Sequence, residues 1–196
     1  MLEGNRINIR PMEEFDLKAF FQWSIQTREK SFFLNSKQEV EINSFGQLKK
    51  DYQEKRSQAL IPAFPLIIEE IDGNTVGFFR FTVYPGESLN ASMSIAFFRK
   101  EYFFDELGKE VGNLIFDYFF NRKNLVRVYA KVIEVEKESI DYLKLFGFKL
   151  EGIQRDQIFL TGRYLNLCHL GVLKEEVRLV DIQGKENDRL QSSNDK

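Results

Sequence analysis

The sequence contains one cysteine, Cys168, and one histidine, His169. A single thiol cannot form an internal disulfide. One imidazole, with no C-x-x-C or H-x-x-x-H pattern anywhere, leaves no ligand set for a structural or catalytic zinc. No apolar run approaches the length of a membrane span, and the opening MLEGNRINIRPMEEF lacks the apolar stretch of a signal peptide. The expected home is therefore the cytoplasm. An excess of positive charge is missing as well: 28 Lys and Arg face 30 Asp and Glu, a net charge of −2. That removes bulk attraction to nucleic acid, although a local basic patch stays compatible with it.

What the chain does have is phenylalanine, twenty of them in 196 residues. With 43% hydrophobic and 30% charged residues, this composition fits one globular domain with an aromatic-rich core. An apolar substrate pocket is the other use for so many rings.

The patterning along the chain is explicit. INIRPM alternates from Ile7 and stops at Pro11, which reads as a strand. In EEFDLKAFFQWS the residues Phe15, Leu17, Phe20, Phe21 and Trp23 share a helical stripe behind an acidic first turn. Residues 27–43 read as loop or short helix, and INSFGQLKKDYQEKRS as a mostly solvated helix. FPLIIEEIDGNTVGFFRFTVY is two strands around an Asp72-Gly73-Asn74 hairpin turn. ASMSIAFFRK follows a Pro85-Gly86 turn as a further strand. A helix over 107–121 keeps Leu107, Val111, Leu114, Ile115 and Tyr118 on one face. LVRVYAKVIE is a strand, and EKESIDYLKLFGF a helix ending at Gly147. KLEGIQRDQIFLTGRYLNLCHLGVL is two strands around Thr161-Gly162. The polar residues after 176 read as a flexible tail. The element order predicts a single α/β (α+β) domain over 1–176 with a mixed sheet flanked by helices. It also predicts an anion site where the strand before Glu101 leads into the helix N-terminus.

Three stretches resemble the GNAT N-acetyltransferase superfamily, and its RimJ/RimL branch in particular. They are FFDELGKEVGNLIFDYFFNRKNLVRVYAKV, ESIDYLKLFGFKLEG and LTGRYLNLCHLGVLKEE. The resemblance extends from Ile7 to Glu176. It implies an acetyl-CoA-dependent enzyme that moves an acetyl or longer acyl group to a primary amine. Its expected partners are a small-molecule amine or a protein N-terminus and a second copy in a homodimer, with no nucleic acid and no membrane. By the same resemblance, acetyl-CoA lies in a splay between two central strands. Its pantetheine runs along Ser94, Ile95, Ala96, Phe97 and Phe98. Its pyrophosphate sits on the backbone of Phe103, Phe104, Asp105, Glu106, Leu107, Gly108 and Lys109.

The resemblance has gaps. Family members carry Arg/Gln-x-x-Gly-x-Gly/Ala in that loop; here Phe103 replaces the Arg or Gln and Glu106 the middle glycine, while Gly108 matches. Glycine lets backbone approach a phosphate closely, whereas a carboxylate repels it. Asp105 and Glu106 can thus be read as satisfying the helix N-terminus themselves. Gly112 reads as a packing glycine. The Asn and Tyr of the family's second helix fall on Glu136 and Leu143. Tyr142, one residue away, is then the candidate proton donor to the leaving thiolate, against a reading as a partly exposed helix residue. Candidate bases are Glu69, Glu70, Glu151, Asp156 and His169. Glu69 and Glu70 face opposite ways in a regular strand, so one of them is expected to be solvated. Tyr164 matches the family's G-x-Y, and Asn166 replaces the Asp that follows. A GNAT-like binding module without catalysis, and a structural domain that recruits a partner, remain as alternatives.

Overall fold

The computed structural model describes residues 1–26, 44–56, 64–84 and 89–182. The expectations for 27–43, for the Pro85-Gly86 turn and for the chain end beyond 182 lie outside those residues.

Eight strands form one sheet in the order β1-β2-β3-β4-β5-β6-β8-β7. The strands are β1 (Leu2–Glu3), β2 (Ile7–Pro11), β3 (Leu66–Glu70), β4 (Thr75–Val83), β5 (Asn90–Phe97), β6 (Arg127–Ile133), β7 (Lys149–Leu160) and β8 (Arg163–Leu173). The helices are α1 (Leu17–Gln26), α2 (Phe45–Arg56), α3 (Glu106–Asp117) and α4 (Lys137–Leu145). All neighbouring strands are antiparallel except β5 and β6, which run parallel. A parallel pair needs a crossover, and α3 supplies it. α3 ends in a wider π turn over Tyr118–Arg122. The short β1 was not foreseen, because two residues carry no periodic signal.

Strand pairing sorts side chains onto two faces. Phe79, Met93, Ile95, Val128, Ala130 and Leu170 join the core beneath α3 and α4. Phe78 and Ala96 join Leu17, Phe20, Leu48 and Tyr52 beneath α1 and α2. Leu48 and Tyr52 are buried on α2, and the Tyr52 hydroxyl donates to the Met12 carbonyl at 2.9 Å. That helix is therefore docked, although most of it is polar. Phe15 is corrected: it lies in the short 3-10 turn before α1 and is 70% exposed, off the stripe that a continuous helix would have made. The chain also stays ordered against the body past 176. Asn113 brackets Val180 with two hydrogen bonds of 2.7 and 2.8 Å, and the Arg178 amide donates to the Phe146 carbonyl.

The phenylalanines are mostly structural. Phe97, Phe103, Tyr142, Phe146 and Phe116 form a chain of ring contacts with centroids 4.9–5.8 Å apart, the edge and tilted arrangements that aromatic quadrupoles favour. Gly112 belongs to this packing, since a Cβ there would run into the Phe146 ring. Gly112→Ala sets a helix-propensity gain of about 1 kcal/mol against an overpacking cost of about 1–3 kcal/mol. Phe146 is fully buried and cannot swing aside, so overpacking wins. Denaturant melts are expected to show net destabilisation of about 1–2 kcal/mol, partly relieved when Phe146→Leu is added. Equal or greater stability of Gly112→Ala would contradict this packing.

Candidate active site

The sheet is interrupted at its centre. β5 and β6 pair through Asn90↔Arg127, Ala91↔Val128 and Ser92↔Tyr129, and there their ladder stops. β5 continues along β4 to Phe97, and β6 along β8 to Ile133. The two strands diverge because each follows its antiparallel partner. The gap is a narrow cleft lined by Met93, Ile95, Ala130 and Val132, with Ser94, Lys131 and the α4 residues Glu136, Ser139 and Leu143. A mostly apolar slot between strands, floored by backbone, suits a slender amide-containing chain.

At the end of β5 a 3-10 turn, Lys100–Phe103, leads into α3. Asp105 is the N-cap, and its Oδ1 accepts from the Gly108 amide at 2.9 Å. The expectation that Asp105 satisfies the helix itself therefore holds for one amide. It does not hold for Glu106, which pairs with Arg6 on the β1–β2 turn. Glu106 thus lies against a cation rather than over the helix axis. Beside it, buried Glu110 accepts from the Asn5 and Arg6 amides, so α3 is tied to the N-terminal turn by two carboxylates. Gly108 matches the family pattern, but its local requirement is steric: a Cβ would collide with the Tyr102 carbonyl. Phe103 is fully buried among rings, while Phe104 and Phe98 are 43% and 40% exposed. Lys109 follows within the first turn of α3.

Of the run expected to carry pantetheine, Ser94 and Ile95 line the cleft. Ala96 packs beneath α1 and α2, and Phe97 against Phe103 and Tyr142. Glu136 and Leu143, which fall on the family's Asn and Tyr positions, line the cleft from α4, while Lys131 on β6 and Ser139 were missed. The parallel pairing that brings β6 beside β5 is a long-range contact, and no local pattern announces it.

Tyr142 differs from both readings of it. It is completely buried, and its hydroxyl donates to the Gly108 carbonyl at 2.7 Å. Burial pushes its ionisation far up. A hydroxyl so placed joins α4 to α3 and has no open path to a thiolate. Glu69 and Glu70 are both half-buried, so neither is solvated as expected. They do face opposite ways, because β3 pairs with β2 in unbroken register as far as Glu70 and the bulge beside Glu69 puts its extra residue, Val76, on β4. Glu69 holds Arg10 at 2.8 Å, and Arg10 also holds Asp16. Glu151 lies over Gly171 in the grip of Arg127, which holds its carboxyl below the usual range. Asp156 is exposed at a second bulge with φ +50°, and its amide donates to Asn166. Asn166 also binds Glu134 through its amide and side chain, at 3.0 Å each, and so pins the β7–β8 hairpin. Tyr164 is exposed and touches Phe159.

His169 is neither a satisfied nor a surface histidine. Its Nε2 is buried and has no hydrogen-bond partner among the described residues. Burial, then Lys131, lowers its pKa from the ordinary 6.5, so it is neutral near pH 7. On the same face Tyr129 is pushed up to about 12, first by burial and then by Tyr84.

Residues 9–167 match the family model of the acetyltransferase (GNAT) domain. The chain belongs to the GNAT acetyltransferase family. No curated protein sequence matches it. Among solved structures it is similar to a spermidine N-acetyltransferase from Vibrio cholerae in complex with CoA and spermine. The TM-score is 0.72 at 19% identity, over 88% of this chain and 98% of that one. It is also similar to a GNAT-family acetyltransferase from Bacillus anthracis, with TM-score 0.67 at 18% identity, over 89% and 99% of the two chains. At such identities the likeness establishes the fold. Membership makes the GNAT chain an N-acetyltransferase, with acetyl-CoA as the co-substrate. No helix among the described residues is long and apolar enough to cross a membrane.

Tyr142→Phe separates a structural from a catalytic hydroxyl. The variant should lose about 1 kcal/mol of stability, the net worth of one buried hydrogen bond. Its kcat and the pH profile of kcat should stay those of the parent. A hundredfold fall in kcat without unfolding would make the hydroxyl the proton donor after all.

Proposed function

We propose that this GNAT enzyme binds acetyl-CoA with the pantetheine between β5 and β6 and the pyrophosphate at the N-terminus of α3. It then acetylates a primary amine of a small molecule or a protein N-terminus, in the manner of the RimJ/RimL branch. The observation that carries the reading is the arrested β5–β6 ladder with an apolar slot between the strands, and β5 leading through a short turn into the N-terminus of α3. Ser94, Ile95 and Ala130 would flank the pantetheine. At the helix, Asp105 takes up the Gly108 amide, and the first-turn amides of Glu106 and Leu107 have no partner inside the helix. Arg6 offsets the charge of Glu106, so a carboxylate in place of the family's glycine still leaves room for an anion. Phe104, Lys109 and the backbone of Phe103 would complete that seat.

The chemistry asks little more. The nitrogen lone pair forms a bond to the acetyl carbon, the C–S bond breaks, and CoA leaves as the thiolate. The proton lost by the amine passes through a base or water. With Tyr142 tied to Gly108, water is the natural proton source for the thiolate. A module without catalysis is disfavoured because the cleft and the helix N-terminus are both kept.

Ala130→Phe tests the location. A ring at this β6 position fills the slot and should raise KM for acetyl-CoA by about tenfold or more, equivalent to some 1.4 kcal/mol, while the far-UV spectrum is kept. An unchanged KM in the folded variant would move the cofactor elsewhere.

A further inference from the structure

The cleft has two sides, and they differ in chemistry. On the α4 side lie apolar side chains with Glu136 and Ser139. The opposite side is set by strand register. Ser92 pairs with Tyr129, and Lys131 lies two residues beyond Tyr129, so these side chains share one face. Lys131 stands directly opposite His169 on β8, which places their Cβ atoms about 5 Å apart. Ser94 stands opposite Arg80 on β4, again on this face. Phe78 and Ala96 place it as the α1–α2 face. With the cofactor entering from the α4 side, the amine must approach from this one.

Two donors meet there. Lys131 lines the cleft and has no carboxylate partner among the described residues. The buried Nε2 of its neighbour His169 has none either. The carboxylate nearest in the sheet, Glu151, is already held by Arg127 through both oxygens. Tyr129 and Ser92 add hydroxyls, with Tyr84 in reach of Ser92. An ammonium next to a buried imidazole N–H makes a site for an anion. It repels a polycation, and the sheet carboxylates on this face, Glu69 and Glu151, are each already held by an arginine.

We propose that Lys131 and His169 form an anion-recognising pair on the acceptor side of the cleft, and that the acceptor is a primary amine bearing a carboxylate or phosphate close to its nitrogen. This rests on the acetyltransferase reading above. It separates the chain from the spermidine acetyltransferases that share its fold. Lys131 and His169 are positioning and specificity residues here. His169 in this role donates through Nε2–H, which excludes it as the base and leaves proton removal to water.

The test uses the full chain, acetyl-CoA and release of free CoA thiol. Acceptors are β-alanine and O-phosphoethanolamine, each compared with ethanolamine and spermidine. At least one anionic amine should exceed ethanolamine and spermidine in kcat/KM by about tenfold or more, the scale of one desolvated charge pair. Whichever of the two leads identifies carboxylate or phosphate. Lys131→Gln should collapse that ratio toward one, and Lys131→Arg should restore it. His169→Leu should narrow it, while His169→Gln, which keeps a donor, should hold it. Spermidine or ethanolamine used as well as the anionic amines overturns the proposal, as does a ratio that survives Lys131→Gln. If acetyl-CoA binds but neither anionic amine is acetylated, the acceptor assignment fails alone. If acetyl-CoA does not bind, both readings fail.

Discussion

Everything in this molecule turns on three parallel pairs between β5 and β6 and on the absence of a fourth. Backbone groups inside a sheet must be paired or meet another polar partner. A ladder that stops in mid-sheet is tolerated where something else can fill the gap. The strands part because β4 and β8 hold them more extensively than they hold each other. The cleft is thus a consequence of register, and its side chains only tune it.

The rest of the fold fixes what stands at the two ends of that cleft. At one end, rings from Phe97 to Phe116 lock α3 against α4, and Tyr142 adds a hydrogen bond to the Gly108 carbonyl. α3 can then present its N-terminus with little freedom. The loop that leads into α3 is built around packing. Phe103 fills the core, Gly108 clears the Tyr102 carbonyl, and Glu106 is balanced by Arg6. At the other end the α1–α2 face offers hydroxyls, a lysine and an imidazole nitrogen without a partner among the described residues.

The elements could be read from the sequence because their signals are local. The Asp72-Gly73-Asn74 turn, the α3 stripe and the Gly147 stop, with φ +94°, each rest on a few neighbouring residues. The family could be read because its motifs lie in α3, α4 and the last hairpin, the same places. The site was only half legible. Ser94 and Ile95 were identified on β5, but Lys131 and Ser139 come from across a non-local pairing. Alternation put Glu69 and Glu70 on opposite faces, but it could not show that Arg10 on the neighbouring strand holds Glu69. Tyr142 was judged by its rotation about a helix, whereas its role is set by the depth to which α4 sinks against α3. The pairing of Glu106 with Arg6 spans nearly the whole N-terminal half, and no spacing rule reaches that far.

Calorimetric titration of the intact protein with acetyl-CoA tests the central claim most directly. The account predicts saturable one-to-one binding, despite a glutamate where the family has a glycine. A folded sample that gives no binding heat at millimolar acetyl-CoA would contradict it.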